Sequence, residues 1–129
     1  MLYEKDYIMR LIHEIVRTLV KLVFGIDEEK EEVLIAAGEV SERLKGLLEL
    51  AEEGKINQAE NLLFENLDCN DMEQLKMGLL FYQHINEYSD EYLEENNYSR
   101  EEIKQGIEML LKAFQCKGLI EMLLMEDDG

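Results

Sequence analysis

Not one proline interrupts the 129 residues, and apolar side chains recur at helical spacing almost from end to end. A proline inside a helix removes a hydrogen bond and clashes with the preceding turn, so its absence leaves long helical periods unbroken. No stretch alternates apolar and strand-forming residues over more than a few positions, which leaves no candidate for a sheet. The expected fold class is all-α, with antiparallel helical hairpins set in an array or bundle of five to six helices.

The first segment runs from about Tyr3 to Phe24 and stops at Gly25, a residue suited to the left-handed position after a helix. At 100° per residue, its apolar positions from Tyr7 to Val23 cover an arc of about 200°, twice the stripe of an ordinary surface helix. Such a helix must be covered from more than one side, by its own domain or by a partner. Residues 1–26 carry four basic and three acidic side chains, whereas the rest of the chain carries nine against 27. The first helix is therefore the long segment on which two acidic chains can meet without strong repulsion, and a two-fold dimer is the commonest closed arrangement. Ile12, Val16, Leu19 and Val23 are the candidate oligomer interface. Periodicity alone does not say which flank of the arc faces inward, and the rival reading makes this the central helix of a monomeric bundle.

Residues 1–129 are read as one helical domain: the apolar helix 1–25, acidic helical hairpins over 27–125, and a fraying acidic tail at 126–129. Asp27 is an N-cap candidate, followed by Glu28, Glu29, Glu31 and Glu32, where the helix dipole favours negative charge. That helix is expected to reach about Glu53, jogging near Gly38, and to end at Gly54. A short helix over Asn57–Leu67 follows, and the brief connection makes the two an antiparallel hairpin. A long fourth helix is expected from Asp71 to about Glu95, with Gly78 near its centre allowing another helix to cross closely. Asn96 and Asn97 break it. Ser99 and Glu102 form a capping box for a fifth helix carrying Ile103, Ile107, Leu110, Leu111 and Phe114 inward. Gly118 ends or kinks that helix, and Leu119–Met125 adds a last apolar turn or two.

Thirty acidic residues against 13 basic ones give a formal charge of -17, which disfavours nucleic acid and anionic membrane surfaces as partners. No run is long and apolar enough for a spanning helix, and no signal-peptide pattern opens the chain. Cys69 and Cys116 lack Cys-x-x-Cys spacing and read as reduced thiols. A cytoplasmic location is expected. His13 and His84 have no ligand-type residue at helical metal-site spacing, and the calcium-loop likeness of Asp68–Asp71 fails at Met72 and Glu73. There is no nucleophile elbow, phosphate-cradling loop or Cys and His arrangement. The chain is expected to be non-catalytic, with no cofactor and no metal.

Tyrosines concentrate in the fourth segment and the turn after it. A tyrosine packs its ring while keeping a wet hydroxyl, so it suits groove walls as well as cores. Phe81, His84, Tyr88 and Tyr92 are therefore the candidate ligand or peptide groove. The expected function is a protein–protein interaction module that self-associates as a homodimer or meets a protein with a basic surface. The alternative is a small-molecule or peptide sensor built on that aromatic groove.

Gly54, Ile56, Ala59 and Leu63 resemble the turn and second helix of a tetratricopeptide repeat, and Met77, Gly78 and Phe81 resemble a repeat's first helix. Tyr98 to Ile103 is similar to another inter-helix turn. This likeness implies a tetratricopeptide-like helical array, although no regular repeat period runs through the chain. The opening Tyr3-Glu4-Lys5-Asp6-Tyr7-Ile8-Met9-Arg10-Leu11-Ile12, with the apolar run ending at Phe24-Gly25, is similar to a family of small acidic bacterial proteins, mostly Gram-positive, classed as a domain of unknown function. That resemblance implies a helical fold and a bacterial cytoplasm, and it assigns no site residues.

Overall fold

The computed structural model describes the backbone of residues 2–24, 39–65 and 67–114, and the side chains of 7–21, 42–65 and 67–114. Among the described residues there are six helices and no strand: α1 (Leu2–Phe24), α2 (Glu39–Glu52), α3 (Ile56–Glu65), α4 (Met72–Asn86), α5 (Asp90–Glu95) and α6 (Arg100–Ala113). The expectations placed on Asp27 and its glutamates, Gly38, Gly118, Leu119–Met125 and the acidic tail lie outside the described residues.

Short polar side chains start the later helices. Asp71 accepts from the Glu73 amide at 3.0 Å, Ser89 from the Tyr92 amide at 3.1 Å, and Ser99 from the Glu102 amide at 3.3 Å. Each satisfies an amide that has no partner within its helix. α2 stops where expected. Gly54 adopts φ +84, its amide donates to Ala51 O at 3.0 Å, and the Lys55 amide reaches back to Leu50 O at 2.8 Å. This pair of bonds is the Schellman motif, which needs a left-handed residue. α5 ends in the same way on Asn97, at φ 58, with Asn97 N–H on Glu94 O at 3.1 Å and Tyr98 N–H on Leu93 O at 2.9 Å. The two turns touch each other: Asn57 Nδ2 donates to Asn97 O at 3.2 Å, and the Asn96 side chain occupies the space a Cβ on Gly54 would need.

α4 is the central helix, a position that one reading of the periodicity gave to α1. It packs on α1, α2 and α6, and Leu75, Met77, Leu79, Leu80, Phe81, Tyr82 and Ile85 are all buried on it. Full burial of each such side chain contributes about 1.5–3 kcal/mol before the entropy of ordering is subtracted. α2 and α3 form the expected hairpin, with α2 against α4. α1 lies on α4 and α6, burying Ile12, Ile15, Val16, Leu19 and Val20. Gly78 has the close crossing predicted for it, since a Cβ there would stand 2.6 Å from Leu110 Cδ2 on α6. Gly106 is the reciprocal site on α6, where the ring and hydroxyl of Tyr82 fill the place of a side chain.

The fourth segment is two helices, not the single helix expected over Asp71–Glu95. The chain leaves α4 at Glu87 and restarts at the Ser89 cap. Arg100, 7% exposed, stabilises this break from the start of α6. Its Nη1 donates to Asn86 O at 2.6 Å and Asn86 Oδ1 at 3.1 Å, its Nη2 to Tyr88 O at 2.5 Å, and its Nε to Asp90 Oδ1 at 2.9 Å. A planar fork of donors thus meets the carbonyls that the interrupted helix exposes. Asn86 Nδ2 extends the network to α1 by donating to Met9 O at 2.9 Å.

Candidate functional site

The residues expected to form an oligomer interface divide plainly. Ile12, Val16 and Leu19 are completely buried, while the side chain of Val23 lies outside the described ones. The flank offered to a second copy is therefore the flank turned towards α4 and α6. The buried positions of α1 span about 140° at 100° per residue, so much of the wide apolar arc is used within the fold.

The expected aromatic groove is divided by the fold, since Phe81 is enclosed while His84, Tyr88 and Tyr92 are half-buried. Phe81 is wholly buried and meets Tyr82 edge-on, with centroids 5.3 Å apart. His84, Tyr88 and Tyr92 do come together, with centroids 5.5 Å apart for the first pair and 4.6 Å for the second. They close the end of α2: Tyr92 donates its hydroxyl to Ala51 O at 2.6 Å and to Glu52 O at 3.0 Å, and His84 Nε2 lies 2.9 Å from Glu52 Oε1. The hydrogen bond to His84 holds the Glu52 carboxyl below its ordinary range, against a smaller upward push from burial. The last carbonyls of α2 thus obtain a donor from Tyr92 and the Glu52 side chain a partner in His84, which is a structural use of these side chains.

An open groove lies between α3 and α6, with a volume of about 450 Å³. Glu60, Phe64 and Glu65 line it from α3, and Glu102, Gly106 and Met109 from α6. Among the described residues no basic one lines it. Met109 is 57% exposed, so the groove offers an apolar rim beside its carboxylates.

Two of those carboxylates are fixed by the fold. Tyr82 and Tyr98 both donate to Glu60 Oε2, at 2.6 and 2.9 Å, and these bonds do not use Oε1. The Ser99 hydroxyl donates to Glu102 Oε2 at 3.2 Å, so the Ser99–Glu102 pair read from the sequence meets side chain to side chain as well as through the cap. Burial, reinforced by the negative charge of Glu60, pushes both phenols far above the ordinary tyrosine range, so they remain donors at any physiological pH. Tyr98 also feels the charge of Glu102, which places both carboxylates around one phenol. Among the described residues no group of three His, Cys, Asp or Glu side chains is placed to hold a metal ion.

Glu60 is the residue that sequence reasoning passed over. On α3 it lies about 40° beyond the arc of Ile56, Ala59 and Leu63, all buried, and between that arc and Phe64, and an acid at the edge of an apolar face needs partners or a purpose. That signal was present in the spacing. Its partners were not, since they come from 22 and 38 residues further along the chain.

A family model described as a family of unknown function (DUF6483) matches residues 2–115, and the chain belongs to that family. No curated protein and no solved structure matches the chain. Among the described residues no helix is long and apolar enough to cross a membrane.

Proposed function

We propose that this member of a family without an assigned function is a non-catalytic protein-interaction module whose partner presents a basic surface. The observation that carries this reading is the α3–α6 groove, where carboxylates stand beside exposed apolar surface and no cation is among the described lining residues. Two copies of a chain with net charge -17 repel each other, so charge favours a different, basic protein over a homodimer. Among the described lining residues there is no serine, threonine, cysteine or lysine beside a base to act as an activated nucleophile.

The test is affinity capture from the native cell with the full chain as bait, beside an unrelated helical bait of equal charge, followed by reconstitution of the complex from purified components. The expected result is a stoichiometric basic partner whose affinity falls steeply between low and physiological salt. Retention of nothing beyond the control bait, or a reconstituted complex indifferent to salt, overturns the proposal.

A further inference from the structure

Resting on that reading, we infer that the α3–α6 groove receives an arginine side chain of the protein partner, flanked on the partner by apolar residues. Three features of the groove specify this occupant.

First, the groove has a carboxylate on each wall, Glu60 from α3 and Glu102 from α6. Each has one oxygen engaged by the fold, Glu60 by two buried phenols and Glu102 by Ser99. Side chains already held in place lose little freedom on binding, so a cation arriving here is met by pre-oriented acceptors. Second, an occupant bridging two walls needs donors that diverge in a plane. A guanidinium has five in a rigid fork, whereas an ammonium is a compact, strongly hydrated point charge. Third, Phe64 and Met109 give the groove apolar surface that no carboxylate interaction requires. The methylene stem of arginine and apolar neighbours on a peptide cover such surface, whereas a free polyamine covers less of it.

Gly106 belongs to the same device. Because it has no side chain, the Tyr82 ring lies directly against the α6 backbone and its hydroxyl reaches Glu60 across from α4. The acceptor is therefore supported through α4, the best-buried helix of the fold, while it faces a surface groove.

The experiment is a nuclear magnetic resonance titration of the isotope-labelled full chain with the peptide acetyl-Ala-Leu-Arg-Leu-Ala-amide. Versions bearing lysine or citrulline at the centre, and free agmatine, serve as comparisons. The arginine peptide is expected to give saturable shifts confined to residues 60–65 and 102–109. The lysine peptide should bind about three- to ten-fold more weakly, and the citrulline peptide should not saturate. Glu60→Gln, which keeps an acceptor for both tyrosines, should weaken binding at least about ten-fold. Met109→Lys should do the same by placing a like charge at an exposed rim position, where the helical signal and melting temperature stay unchanged.

Shifts spread over the other acidic faces, agmatine binding as tightly as the peptide, or unchanged affinity in Met109→Lys would each overturn the inference. The captured partner separates the two readings. If it still binds the Met109→Lys and Glu60→Gln chains, the groove assignment fails while the interaction module stands. If the unaltered chain captures nothing, the module reading fails.

Discussion

Two polar clusters meet α6 near its start, and they are built on opposite plans. Around Arg100 the cation is enclosed, and its fork is spent on Asn86, Tyr88 and Asp90. Around Glu60 two phenols crowd onto one oxygen of a half-buried carboxylate that lines an open groove. The first cluster is closed and serves the fold. The second is anchored from below and leaves charge facing outward, which is what a binding surface requires.

This contrast breaks most sharply at Arg100. Arg100→Met should destabilise the protein by about 2–4 kcal/mol in denaturant titration, because it takes the donor away from the Asn86 and Tyr88 carbonyls of the α4–α5 break. Arg100→Lys should recover little, since an ammonium cannot reproduce the fork. A loss below about 1 kcal/mol for Arg100→Met would erase the distinction between the clusters, as exposed pairs behave that way.

Gly106→Ala tests the support beneath the open cluster. The new methyl collides with a buried ring, not a flexible chain end, so a cost of about 1–3 kcal/mol is expected from thermal or chemical unfolding. Gly78→Ala should cost less, because the Leu110 tip that it meets can turn away.

Alkali sharpens the comparison from another side. The folded-state pKa values of Tyr82 and Tyr98 are raised above the ordinary value of 10.0, so their contribution is complete below about pH 10 and declines as pH rises beyond it. Ultraviolet titration should show Tyr82 and Tyr98 ionising only with unfolding. Each adds about 1.4 kcal/mol of lost stability per pH unit above that point. Tyr98→Phe should remove one of the two and leave the Arg100 network untouched.

The smallest effect belongs to Glu52. Its lowered pKa means a contribution present above the ordinary carboxylate range and lost as pH falls through the folded-state value. Glu52→Gln should abolish that acid-side loss, worth less than about 1 kcal/mol for so exposed a group.

Much of this architecture is legible in the amino-acid sequence. Gly54, Gly78 and the Ser99–Glu102 box did what their local chemistry predicted, because turns, close crossings and caps depend on a few neighbouring residues. The break after α4 was hidden because the apolar period runs on through Tyr88 and Tyr92, and a periodicity does not register a serine cap. The buried flank of α1 was unreadable for a related reason: a wide arc gives the amount of apolar surface, not the direction of its neighbour. Arg100 and Glu60 were hardest of all. A buried charge is settled by partners distant in sequence, such as the Asn86 carbonyl for one and the Tyr98 hydroxyl for the other.

The paired Schellman turns carry a lesson for anyone wishing to tag, split or extend this protein. Because the Asn96 side chain rests on Gly54 and Asn57 donates to Asn97, loops 53–55 and 96–98 behave as one joint. A peptide spliced into either would pry open both. The segment around Cys69 and Asn70 is exposed and joins α3 to α4 away from that joint, so it is the place for a reporter loop or a new chain end, and a thiol-reactive dye could be attached at Cys69 once Cys116 is replaced.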